Sequence, residues 1–141
     1  MELKEIGKNM LTSCLNVKAG EQVLIVTDDK KISIGTALYE AAQELGAEAL
    51  MMTMTPRQVS GEEPPAAVAA AMKAADVVIA PMATSITHTR AKIEAAKAGA
   101  RVATMPNITE DMFSQGAMTA DYDVVMDLTL RVTELLSKAS I

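Results

Sequence analysis

Four short apolar runs alternate with segments in which apolar residues recur every three or four positions, and no other feature limits the fold so tightly. The runs are Gln22–Thr27, Ala47–Met54, Asp76–Ala80 and Arg101–Met105. Their length and continuity suit strands buried on both faces. Between them, Ile34, Leu38, Ala41 and Leu45 mark the inner face of a helix that Gly46 ends. Val68, Met72 and Ala75 do the same for a helix opened by Pro65. A further crossover helix is expected over Ser85–Ala98, closed by Gly99.

The ends of the chain extend this pattern. Leu3, Ile6, Met10, Leu11, Cys14 and Leu15 share a helical face before Lys18-Ala19-Gly20. That spacing makes Cys14 a small buried hydrophobe. Thr109 is an expected N-cap, with Glu110 and Asp111 favouring the positive helix end. A long last helix is expected over Thr119–Lys138, with Tyr122, Val125, Leu128, Val132 and Leu135 facing inward.

Strands that alternate with helices through short links build a parallel sheet covered on both faces. Right-handed crossovers then favour a doubly wound, mainly parallel α/β sheet of about four strands, Rossmann- or flavodoxin-like, in the order 2-1-3-4. The 141 residues make one α/β domain of this kind. The chain stops at Ser140-Ile141, straight after a long helix, where such a sheet often continues. A cut is expected there, with 1–141 as the N-terminal domain of a longer enzyme.

Composition excludes several functions. Eleven Met, one Phe, two Tyr and no Trp leave packing to alanine, valine and methionine, and the thioether fills irregular gaps. A net charge of −5 with no basic run argues against nucleic acid. The single Cys14 rules out an internal disulfide and suits a reducing compartment. No apolar run nears the roughly 18 residues of a membrane span, so a cytoplasmic protein is expected.

In the order 2-1-3-4 the switch point falls between the first and third strands, where doubly wound sheets take their ligands. The loops leaving those strands carry Asp28-Asp29 on one side and Met82–His88 on the other. The second holds the only histidine, His88, among Thr84, Ser85, Thr87, Thr89 and Arg90. Placed one turn inside the expected helix, His88 is either a hydrogen-bonded surface side chain or a group facing a ligand. Asp28 serves either a cation or amine, or turn and cap chemistry. The helix start beside Thr84 and Ser85 would attract an anion. Arg57 and Arg101 flank the sheet and suit a carboxylate, while Glu62-Glu63-Pro64-Pro65 reads as an acidic entrance to the third helix. No glycine-rich phosphate cradle and no catalytic triad can be drawn. One histidine and one cysteine cannot build a transition-metal site.

Taken in order, Ala19–Asp28 (AGEQVLIVTD), Gly61–Pro65 (GEEPP), Ala75–Ala80 (ADVVIA), Ser85–Thr89 (SITHT), Gly99–Pro106 (GARVATMP) and Asp121-Tyr122 resemble one family across nearly the whole chain. It is the N-terminal domain of the thermophilic metalloaminopeptidases, of the aminopeptidase T and aminopeptidase S type. A ring-cleaving dihydroxypyridine dioxygenase, iron-dependent, is similar to the same family. The resemblance implies a two-domain cytoplasmic hydrolase that removes N-terminal residues from peptides with two divalent metal ions of zinc, cobalt or manganese type. Its metal ligands lie in a C-terminal domain, so no metal ligand and no catalytic residue carries over to this chain. Implied partners are a peptide substrate, that C-terminal domain and further copies of the chain. Thr87, His88 and Thr89 match the family segment and are expected at the interdomain cleft, with Ser85 and Asp28 beside them. Two other readings remain: the iron-dependent ring-cleaving enzyme, and a free-standing binder of a small anion.

Overall fold

The computed structural model describes residues 2–139. Its elements, in chain order, are α1 (Leu3–Ser13), β1 (Gln22–Asp28), α2 (Ile32–Glu44), β2 (Glu48–Met54), α3 (Ala66–Ala74), β3 (Val77–Met82), α4 (Arg90–Lys97), β4 (Arg101–Pro106), α5 (Glu110–Ser114), a single 3-10 turn (Gly116–Thr119) and α6 (Tyr122–Lys138). The four strands form one all-parallel sheet in the order β2-β1-β3-β4, as the sequence pattern predicts.

Alternation along β1 and β3 divides the core into two layers. Val23, Ile25, Val77 and Ile79 face α1 and α2, where Ile6, Leu11, Ile34, Leu38 and Phe113 complete a cluster of large side chains. Leu24, Val26, Val78, Ala80 and Met82 face α3 and α4. There Val68 and Met72 are joined by Ala91, Ala95 and Ala100, so small side chains let α4 approach closely. Both central strands are thus buried on both faces, which is why their sequences run apolar without a break.

Two local features fix the sheet's carboxyl edge. At Gly35 an added Cβ would stand 3.0 Å from Thr27 Cγ2, so glycine lets α2 lie directly on β1. Thr27 Oγ1 donates to the Pro81 carbonyl at 3.0 Å, and Asn107 N donates to the Met82 carbonyl at 2.7 Å. Asn107 makes that turn in the left-handed region (φ 55°), which asparagine tolerates better than most residues.

Five expectations need correction. The crossover helix after β3 begins at Arg90 rather than Ser85, because Thr89 takes the N-cap, accepting from Lys92 N. Residues 83–89 therefore form a loop. The first helix ends at Ser13, and Asn16 turns the chain at φ 48°. Cys14 falls just past that end and is exposed. The last helix starts at Tyr122, since Asp121 caps it by accepting from Asp123 N and Val124 N. Its apolar stripe exists but is not turned inward: Val125, Leu128, Val132 and Leu135 are all exposed, Leu135 by 72%. No helix among the described residues is long and apolar enough to cross a membrane.

Candidate functional site

The carboxyl edge of the sheet is built by three loops: 29–31 after β1, 55–65 after β2 and 83–89 after β3. The last two are bonded to each other. Gly61 N donates to the Ser85 carbonyl at 2.8 Å, and Ser85 N donates to Ser60 Oγ at 3.1 Å. Together they make one continuous wall along the switch point between β1 and β3.

Its centre is a row of hydroxyls. Ser85 Oγ donates to Thr87 Oγ1 at 2.9 Å, and the Thr87 and Thr104 hydroxyls lie 2.8 Å apart. Thr87 N in turn donates to Ser85 Oγ. All three residues are half-buried. A hydroxyl can donate and accept, so such a row suits a ligand carrying both kinds of group. The sequence pattern picks out Ser85 and Thr87 but misses Thr104, which arrives from β4. Only the pairing of β4 with β3 brings it there.

The other expected residues occupy different positions. His88 sits in the loop directly before the N-cap, not one turn inside a helix, and its side chain is exposed. Thr89 is buried and serves the helix start: its hydroxyl donates to the Ile86 carbonyl at 2.7 Å and accepts from Lys92 N. Asp28 is fully buried, and its carboxylate is already occupied. Oδ2 accepts from Ala83 N at 2.6 Å and Oδ1 from Lys30 N at 3.0 Å, so Asp28 ties the end of β1 to the loop after β3.

The helix start expected to draw an anion already holds one. Glu63 accepts from Arg90 N at 2.5 Å and from Ala91 N at 3.2 Å, placing its carboxylate on the positive end of α4. The acidic loop therefore serves α4, not the α3 helix that follows it in sequence. This removes the feature on which a small-anion binder would rest.

The two flanking arginines also differ. Arg101 is paired, donating from Nε to the Leu15 carbonyl at 2.9 Å and from Nη2 to Glu21 at 2.6 Å. Arg101, and after it the Lys18 N–H, holds the Glu21 carboxyl below the ordinary carboxylate range. Arg57 has only a long contact, 3.9 Å, to Glu62.

An apolar groove of about 550 Å³ lies elsewhere, under α5 and the 3-10 turn, between Ile108, Met112 and Met118. The hydroxyl row is not part of it. Among the described residues no three His, Cys, Asp or Glu side chains are placed to hold a metal ion. The residues present therefore do not fit the iron or the metal pair that the resemblance implies, and no reaction step is assigned to a metal held here.

The chain is thus an α/β domain with a doubly wound parallel sheet and a row of hydroxyls at its carboxyl edge, the edge at which sheets of this class generally take ligands. The model of one family, NicX: 2,5-dihydroxypyridine 5,6-dioxygenase, matches residues 2–135, and the chain belongs to that family. Among solved structures it is similar to 2,5-dihydroxypyridine dioxygenase from Pseudomonas putida, at 20% identity and a TM-score of 0.60 over 74% of this chain. It is also similar to wild-type AmpT from Thermus thermophilus, at 16% identity and a TM-score of 0.51 over the same share. At these identities the likeness shows the fold. The chain spans 33% of the first structure's length and 35% of the second's. No curated protein sequence matches it. The resemblance read from the sequence ranks the aminopeptidase first, whereas the family match favours the dioxygenase and leaves AmpT as a relative in fold.

Proposed function

We propose that this chain forms the substrate-facing wall of a ring-cleaving dioxygenase whose substrate is a hydroxylated pyridine. The observation that carries this reading is the family match over residues 2–135. The metal that such chemistry needs is held outside these residues, in a following domain of the same protein. The share of the two solved relatives that this chain spans, about a third, supports that division.

The chain's own contribution is recognition and orientation. A hydroxylated pyridine presents ring oxygens and a ring nitrogen in one plane. The Ser85–Thr87–Thr104 row can donate to some of these and accept from others. His88, exposed at the rim, adds one further donor or acceptor. Because Thr27 ties the end of β3, and Asp28 the loop after it, to β1, the row is presented on rigid backbone, as positioning a flat ring requires.

A second reading, a metal-dependent aminopeptidase, is favoured by the fold shared with AmpT. The two are separated by supplying the protein that carries this chain, at its native length, with ferrous iron, air and 2,5-dihydroxypyridine. Loss of the ring's ultraviolet absorbance supports ring cleavage. An unchanged spectrum, with amino acids released from peptides in a parallel divalent-metal reaction, moves the assignment to the peptidase.

A further inference from the structure

In α6 only Tyr122 is half-buried, its hydroxyl donating to the Ala117 carbonyl at 3.4 Å, and every residue from Asp123 onward is exposed. The sequence of the helix is not that of a solvated one. Its charged side chains are Asp123, Asp127, Arg131, Glu134 and Lys138. At about 100° per residue they fall on a single stripe roughly 80° wide. The rest of the circumference carries no charge. Leu128 and Leu135 flank the stripe on one side, Met126 and Leu130 on the other, and Val125 and Leu136 lie opposite it. All six are between 46% and 72% exposed. A helix that is apolar on nearly every side is one that is buried in its working state. Nor does α6 sustain itself: an unpacked helix of 17 residues, with three Val and two Thr, is marginal in water.

The width of the apolar surface narrows the choice of occupant. A second copy of α6 alongside the first would cover one seam, on the order of 100° wide, and leave the other flank wet. An occupant that meets three sides has to surround the helix. The charges are engaged within α6 itself: Arg131 with Asp127 at 3.0 Å, Lys138 with Glu134, and Asp123 on the positive helix end. None is left to steer a transient partner, so the contact has the dry, apolar character of a permanent one. The chain spans 33% and 35% of the two similar solved structures, so a protein of their length holds ample further chain to wrap a helix. We infer that α6 is enclosed by the domain that follows in the native-length protein. The sleeve is apolar, about 25 Å long, closed on three sides and open along the charged stripe. The inference rests on the division of the protein proposed above, not on its reaction.

The test places the photo-crosslinking residue p-benzoylphenylalanine in the native-length protein, at Leu128 in one variant and at Leu130 in another. These positions lie on opposite flanks of the charged stripe. After irradiation, both variants are expected to run at the mass of a single chain on a denaturing gel. Their crosslinked peptides are expected to come from residues beyond 141. A doubled mass overturns the inference in favour of a second copy. Crosslinks confined to residues 2–139, or none at all from either position, overturn it as well. Amide exchange of the unaltered native-length protein is the second arm, which needs no variant to fold. Exchange of the α6 amides is expected to be slowed by about 100-fold or more, equally at high and low protein concentration. Unslowed exchange, or protection lost on dilution, contradicts enclosure by the same polypeptide. Neither readout requires turnover. An enclosed α6 without ring cleavage sinks only the proposed reaction, and ring cleavage with a solvated α6 sinks only this inference.

Discussion

The runs Val23–Val26 and Val124–Leu136 are both rich in branched apolar side chains, yet their surroundings are opposite. The first is fully buried between two helical layers, while Leu128 in the second is 60% exposed and no residue of α6 is buried. In β1 the sheet supplies partners on both faces, so each side chain removes apolar surface from water. In α6 the periodicity marks an apolar stripe equally well, but the described residues supply nothing to cover it. Periodicity thus identifies which face is apolar; what it packs against is a separate fact.

The largest test of that contrast is truncation on each side of it. Leu38→Ala or Phe113→Ala in the buried layer is expected to lower unfolding free energy by about 2–5 kcal/mol, and Leu128→Ala in this chain by less than about 0.5 kcal/mol. Urea denaturation of the three variants checks both halves, and a comparable loss for Leu128→Ala would break the comparison. Next comes the lock at the carboxyl edge. Asp28→Ala strands the Ala83 N–H in a buried setting and is expected to cost about 1–3 kcal/mol, read from the same unfolding curves. Glu63→Ala strips the start of α4 of its carboxylate and is expected to cost about 1 kcal/mol, with earlier amide exchange in the first turn of α4 than in α3.

The smallest expected effect is a pH dependence. Arg101 lowers the folded-state pKa of Glu21, so this pair stabilises the fold above the carboxyl's unfolded pKa, and that contribution disappears as pH falls through the folded value. Glu21→Gln should therefore flatten the acid limb of a stability-versus-pH curve slightly, by lowering stability a little at neutral and alkaline pH and leaving it unchanged in acid below the folded value. A steeper acid limb in the variant would show that the pair is not what the geometry implies.

The sheet was legible because its signal is local: a continuous apolar run needs both faces covered, and the helices between the runs declare themselves by period. Strand order followed from handedness. The edge of the sheet was less legible. Ser85, Thr87 and His88 could be placed beside the switch point, but the helix start could not. Thr89 and Ser85 are both good caps in sequence, and the choice is made by Glu63, 26 residues earlier, reaching across to Arg90 N. Thr104 escaped for the same reason, since only the pairing of β4 with β3 brings it to the row. Asp28 looked like a ligand group for want of its partner, the backbone of Ala83. Charged residues in loops advertise chemistry equally whether they meet a substrate or a backbone amide.

The proposed function is tested most directly by the origin of the oxygen in the product. The native-length protein, with ferrous iron and 2,5-dihydroxypyridine, is supplied with isotopically heavy dioxygen in ordinary water, and the product is weighed by mass spectrometry. Two heavy atoms per ring opened is the result predicted here. Product oxygen drawn from water, or no ring opening while peptides lose their N-terminal residues, would contradict it and make this chain the wall of a hydrolase.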